Sequence, residues 1–324
     1  MNIFITGASG SMAHYLVDYL KRQVPDAQVS GIARKAKGVD GLDSYRSFDL
    51  WDSPIRYLIR ILKEESPDYI FHFASEANVR ESFDRPREFI QSNVSGTCKL
   101  FEAIRDAGIK PRVLLASTSE VYGDPRKGHA LDTYMPGIDE STPFAPLNPY
   151  AITKCAQEHL ALCFMQAYNI PVVITRAFGY INPRRADLFA TAMARQILRD
   201  QGENNPAVIR HGNLLPVRTF CDVRDMAEAY WLAAQRGTPG HAYNIGSTEF
   251  IKLRELLDRL IAMSNVPVRK EDDLSLYRPT DIGVCIPATK KFESISSGWR
   301  PKIPLEDSLR WLFESVIDLT RKYS

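Results

Sequence analysis

The chain begins with an apolar run, Asn2-Ile3-Phe4-Ile5-Thr6, that passes straight into Gly7-Ala8-Ser9-Gly10 and then into a segment whose Met12, Leu16 and Leu20 repeat every four residues. That order reads as strand, glycine turn, helix. Glycines in the spacing GxxGxxA, here Gly7, Gly10 and Ala13, let a backbone approach a diphosphate closely. The helix that follows adds unpaired N–H groups and the positive end of its dipole. A plain tight turn is the alternative, but a turn that closes the first strand and opens a helix is the context a dinucleotide site needs.

Further short apolar runs follow at Gln28 to Ala33, Tyr69 to Phe73, Val113 to Ala116 and Pro171 to Phe178, separated by helical patterns such as Ile90, Val94, Thr97, Phe101 and Ile104. Strands alternating with helices predict an α/β fold, a Rossmann-like doubly wound parallel sheet covered on both faces. After about Ala177 the rhythm is broken by Asn182-Pro183-Arg184-Arg185, the Gly202 to Pro206 loop and the polar stretch Arg269 to Pro279. His241 to Gly246 then reads as one more buried strand. The expectation is a smaller α/β substrate domain interleaved with the first: residues 1–176 and 218–247 for the dinucleotide, 177–217 and 248–324 for the substrate.

Composition narrows the function. Forty-one Lys plus Arg against 39 Asp plus Glu leave a net charge of +2, which removes the broad electrostatic case for a nucleic-acid or membrane-surface partner. The five cysteines, at 98, 155, 163, 221 and 285, show no CxxC or Cys/His cluster, so neither a zinc site nor a disulfide framework is indicated. The six histidines show no metal spacing, and no metal is expected. No apolar run approaches the roughly 18 residues of a membrane span, no export signal is read, and a reducing cytoplasm fits best.

Two further groups of residues carry chemistry. An acid that reads a ribose normally stands about 20 residues beyond the glycines; here the second strand ends in Arg34-Lys35. Cations there favour the extra 2'-phosphate of NADP(H), with NAD(H) as the alternative and two solvated loop charges as the bland reading. Asp49-Leu50, after the next short apolar stretch, can cap the adenine edge, with a plain loop carboxylate as the alternative. The strongest constellation is Tyr150-Ala151-Ile152-Thr153-Lys154, preceded by Ser117-Thr118-Ser119-Glu120. Tyr150 and Lys154 fall on one face of a helix opened by Pro149. An ammonium beside a phenol lowers its pKa toward the range of a working acid or base, and Thr118 stands at a strand end, where open α/β sheets bind ligands.

With these motifs the chain resembles, over essentially its whole length, the extended short-chain dehydrogenases/reductases of the NAD-dependent epimerase/dehydratase family, which act on nucleotide sugars. The resemblance rests on the glycine turn, His72 to Ser75, Asn93-Val94-Ser95-Gly96-Thr97, the Ser117 to Gly123 string and Tyr150 to Lys154. Within that family Ser117 to Gly123 and Pro183-Arg184-Arg185 are similar to GDP-mannose 4,6-dehydratases. Val217 to Asp225, Tyr277 to Asp281 and Gly298 to Pro301 are more similar to GDP-4-keto-6-deoxymannose reductases. The resemblance implies that Tyr150 is the acid/base, that Lys154 binds the nicotinamide ribose and depresses the Tyr150 pKa, and that Thr118 meets the sugar O4. It implies cofactor contacts from Gly7, Ser9, Gly10, Ser11, Met12, Arg34, Lys35, Asp49, Leu50, Phe73, Ala74, Ser75 and Asn93. For the substrate it implies Ser119, Glu120, Arg184, Arg218, Arg278 and Asp281, each arginine and Asp281 with a surface salt bridge as the alternative.

The expected activity is therefore hydride transfer at C4 of a nucleotide-linked hexose, GDP-linked, with 4-keto reduction first and 4,6-dehydration, with Glu120 taking the C5 proton, or 4-epimerisation as alternatives. A non-catalytic dinucleotide-binding protein is the alternative of another class. The family's helix contact implies a homodimer or homotetramer through Arg87 to Ala107 and Pro149 to Tyr168. The family's substrate-contacting Asn is replaced by Gly179-Tyr180, and Asp124 to Asp139 is expected as an extra loop, either a lid near the site mouth or a passive surface excursion.

Overall fold

The computed structural model describes residues 1–125, 137–199, 206–264 and 267–323. The first half of the chain runs β1 (Asn2–Thr6), α1 (Ser11–Gln23), β2 (Gln28–Ala33), β3 (Ser44–Ser47), α2 (Ile55–Glu65), β4 (Tyr69–His72), α3 (Val79–Asp84), α4 (Pro86–Phe89), α5 (Gly96–Ala107), β5 (Arg112–Thr118) and α6 (Pro149–Tyr168). It continues with β6 (Val172–Ala177), β7 (Tyr180–Ile181), α7 (Phe189–Arg199), β8 (Ala207–His211), β9 (Val217–Thr219), β10 (Cys221–Asp222), α8 (Val223–Arg236) and β11 (Ala242–Ile245). Last come β12 (Phe250–Lys252), α9 (Leu253–Ser264), β13 (Val268–Asp272), β14 (Val284–Cys285), α10 (Lys290–Ile295) and α11 (Leu305–Tyr323).

Seven strands form one sheet in the order β11-β6-β5-β4-β1-β2-β3, every neighbour parallel. Strand order reverses between β1 and β4, which opens a crevice at their carboxyl ends. Alternation along β1 explains why both faces must be covered. Ile3 and Ile5 pack with Leu16 of α1 and Met226 of α8, while Phe4 packs with Leu58 of α2 and Leu100 of α5 on the other face.

Beyond β6 the chain leaves this sheet and comes back. Helices α7, α9 and α11 bury Met193, Ile197, Leu256, Leu260 and Leu312 in a core of their own, flanked by the pairs β13–β8 and β10–β7 and the three-stranded sheet β12-β9-β14. Between these excursions α8 packs on the main sheet and β11 pairs in parallel with β6, the return expected at His241 to Gly246. We propose the division into 1–176 with 218–247 and 177–217 with 248–324 as the boundary between two functional halves. Of the expected Asp124 to Asp139 loop, residues 126–136 lie outside the described residues.

One element departs from its sequence pattern. The helix expected from Arg87 to Ala107 is interrupted by a π-helical stretch, Ile90–Ser95, between α4 and α5. Its buried Asn93 faces competing partners: the side chain accepts from Glu76 N–H (2.7 Å) and donates to the Glu76 carbonyl (3.0 Å) and Thr153 Oγ1 (2.9 Å). A widened turn at a functional site is the usual setting for such a stretch. Among the described residues no helix is long and apolar enough to cross a membrane.

Candidate active site

The site is built at the crevice, beginning with the glycine turn. Gly7 adopts φ +75°, and a Cβ there would lie 2.8 Å from the Ala74 nitrogen, so no other residue fits between β1 and the loop after β4. Gly10 ends the turn and opens α1 with no side-chain cap, and the first turn of α1 holds no acidic residue. The orphan N–H groups and dipole of α1 are thus left for an anion. Beside the turn lies a pocket lined by Ser9, Ile32, Arg34, Lys35, Phe48, Asp49, Leu50, Phe73, Ala74 and Ser75. The open N–H groups of α1, an apolar slot between Ile32 and Leu50 and two cations at the end of β2 are the parts that can hold a dinucleotide. Asp49 turns part of its carboxylate inward to its own loop, accepting from Trp51 N–H (2.7 Å).

A larger cleft continues from Gly7, Ser11 and Met12 to the end of β5 and the start of α6. Helix α6 is set by Asn148, whose side chain accepts from Ala151 N–H at 2.8 Å, and by Pro149 in the first turn. This start turns both Tyr150 and Lys154 into the cleft wall, 8% and 4% exposed. Lys154 Nζ donates to the Ala116 carbonyl at 2.8 Å and lies 5.8 Å from the centre of the Tyr150 ring. Thr118 stands beside Tyr150 in the cleft wall, and its hydroxyl accepts from Glu120 N–H (3.3 Å). Glu120 accepts from Asn148 Nδ2 (2.8 Å) and stands 3.8 Å from Arg278.

Electrostatics here differ from the sequence expectation in one respect. Lys154 was expected to hold the phenol below its ordinary pKa. Instead burial raises Tyr150 above 10.0, and the opposing influences are the charge of Arg185 and the neighbouring Thr118 hydroxyl. Burial likewise pushes Lys154 down from 10.5 to about 7, with Glu158 pulling the other way. The reason is common to both: each charged form loses its water to the surrounding fold.

Arg218 and Arg278 line the cleft together with Ser119 and Glu120. Asp281 lies behind it, accepting from Arg218 Nη2 (3.3 Å) and Asn213 Nδ2 (3.1 Å). Asn93 does not line either cavity; it pins the Glu76 segment to α6. Arg184 also lies outside the lining: its N–H donates to Asn182 Oδ1 (3.0 Å), and its side chain is exposed, with its charge near Tyr15. The residue that enters the cleft is Arg185, held by Asp187 at 2.5 and 2.7 Å and facing Tyr150, Tyr180 and Tyr230. Sequence reasoning missed Arg185, Asp187, Tyr180 and Tyr230. The Arg184-Arg185 pair was the one signal, and the turn at Asn182 decides which of the two points inward.

A family model described as the NAD dependent epimerase/dehydratase family matches residues 3–246. The chain belongs to this family. Over 324 residues it is 29% identical to "dTDP-D-glucose 4,6-dehydratase" of Mus musculus, covering 95% of this chain and 86% of that one. It is 28% identical over 309 residues to "GDP-6-deoxy-D-mannose reductase" of Pseudomonas aeruginosa, covering 95% and 94%. Among solved structures, "MoeE5 in complex with UDP-glucuronic acid and NAD" aligns with a TM-score of 0.83 at 25% identity over the full length, 100%, of both chains. As a member of the NAD dependent epimerase/dehydratase family, the protein is an NAD(P)-dependent enzyme of the extended short-chain dehydrogenase/reductase type.

Proposed function

We propose that this enzyme reduces the 4-keto group of a nucleotide-linked 6-deoxyhexose, GDP-linked, with NADP(H). The observation that carries the direction is the Tyr150 phenol, buried in the cleft wall beside Thr118 and kept protonated by that burial. Reduction needs a proton donor at O4 from the outset; dehydration and epimerisation open with oxidation, which needs a proton acceptor there. The chemistry a bound nicotinamide supplies is hydride exchange with the sugar C4. Tyr150 gives its proton to the oxygen that becomes the hydroxyl, Thr118 orients that oxygen, and Lys154 compensates the phenolate left behind. Arg218 and Arg278 offer planar donor forks to the nucleotide diphosphate. The preference for NADP(H) rests on Arg34 and Lys35 at the end of β2, two cations that line the pocket beside the glycine turn.

Glu120 supports the same reading. Its carboxylate is engaged by Asn148 and Arg278, which suits a charge that positions rather than a base that travels. A second reading, 4,6-dehydration, is favoured by the place of Glu120 in the cleft wall and by the 29% identity with a dehydratase. The test separates them. The enzyme should oxidise NADPH stoichiometrically with a GDP-4-keto-6-deoxyhexose, and Glu120→Gln should stay within about tenfold of the native rate, about 1.4 kcal/mol in barrier. Conversion of GDP-mannose alone to a 4-keto product without net NADPH consumption, blocked by Glu120→Gln, refutes reduction in favour of dehydration.

A further inference from the structure

Arg34, at the end of β2, and Glu76, in the loop after β4, form an ion pair across the mouth of the cofactor crevice. Arg34 lines the pocket at the end of β2, and Glu76 lines the cleft that continues from it. The two ends of the pair are held very differently. The backbone of Glu76 is fixed: its N–H donates to Asn93 Oδ1 (2.7 Å), and its carbonyl accepts from Asn93 Nδ2 (3.0 Å) and Ser75 Oγ (3.0 Å). Asn93 is in turn tied to Thr153, next to Lys154. The Arg34 side chain is 61% exposed and can swing, whereas that of Glu76 is 26% exposed. A carboxylate and a phosphate monoester compete for a guanidinium through the same donors.

We propose that Glu76 is a specificity-determining residue: an internal anion that occupies Arg34 in the free protein and that the 2'-phosphate of NADP(H) has to displace. This rests on the reading of Arg34 as the 2'-phosphate contact. NAD(H) leaves the pair intact, so Glu76 weakens NADP(H) alone and narrows the preference that Arg34 creates. An ion pair this exposed contributes at most about 1 kcal/mol, which sets the effect at about fivefold in affinity or less.

The experiment is a fluorescence titration of NADPH and of NADH into the native protein, Glu76→Gln, Arg34→Ala and the double variant, at low and high salt. Glu76→Gln keeps the backbone bonds to Asn93. It should tighten NADPH about three- to fivefold at low salt, leave NADH within twofold, and lose its effect in the Arg34→Ala background; the gain should shrink at high salt. Weaker binding of either cofactor by Glu76→Gln overturns the proposal, because the carboxylate then holds the cofactor instead of competing with it. Unchanged NADPH affinity in Glu76→Gln, with Arg34→Ala weakened, overturns the role of Glu76 and leaves the NADP(H) reading standing. If Arg34→Ala binds NADPH as tightly as the native protein, the NADP(H) reading itself is wrong and this inference goes with it.

Discussion

Truncating Glu158 to alanine should destabilise this protein by about 3–5 kcal/mol, the usual effect of leaving one buried charge without its partner. Glu158 is 2% and Arg176 9% exposed on their side chains, with Arg176 Nη2 2.8 Å and Nε 3.1 Å from the carboxylate. The same carboxylate accepts from Ser117 Oγ at 2.5 Å, directly under the strand end that carries Thr118. Without it, the guanidinium keeps the Tyr122 hydroxyl (2.9 Å) and the Glu140 carbonyl (3.2 Å) but has no counter-charge among the groups that bond it. Replacing both members, Glu158→Leu with Arg176→Met, removes the orphaned charge and should fall within about 2 kcal/mol of the native protein. Urea unfolding followed by far-ultraviolet circular dichroism measures both, read from the midpoint at constant slope. A loss below about 1 kcal/mol in Glu158→Ala, or a double variant no better than the single one, would falsify the assignment of this pair as a mutually dependent buried unit. There is a functional side to the same perturbation. Glu158 is the group that holds the Lys154 pKa up against burial. The isosteric Glu158→Gln should therefore leave Lys154 less protonated at neutral pH.

Other expected outcomes follow from the same geometry. Tyr150→Phe should abolish turnover while leaving NADPH binding nearly intact, since the ring still fills its place; Lys154→Met should impair both, and substantial activity of the phenylalanine variant shows a different proton route. Because Lys154 is pushed from 10.5 to about 7 on folding, its burial opposes folding fully below pH 7, and this opposition is relieved as pH rises from about 7 to 10.5. Lys154→Met should thus raise the apparent Tm most at pH 6, with the advantage shrinking toward pH 10; a constant advantage refutes the buried-charge reading. Ile90 at 50% and Ile152 at 53% exposure lie on the two elements proposed to meet their copies. Light scattering should show a dimer or tetramer at micromolar protein, and a monomer excludes that contact.

The sequence alone determined the parts of this protein that depend on local order. A strand closed by glycines, the i, i+4 placement of Tyr150 and Lys154 behind Pro149, and strand–helix alternation each follow from backbone geometry within a few residues, and all stand where expected in β1, α1, α6 and the seven-stranded sheet. Tertiary structure decided what depends on solvent and on distant partners. The Tyr150 pKa rises rather than falls because burial, a property of the whole fold, outweighs the charge of Arg185. Asn93 pins a loop instead of lining the crevice because Glu76 and Thr153, far along the chain, occupy its amide. Arg185 enters the cleft in place of Arg184 because one turn at Asn182 rotates adjacent residues to opposite sides. Local spacing fixes which residues share a face; which face meets water, and which charge meets another, is set only when the layers close.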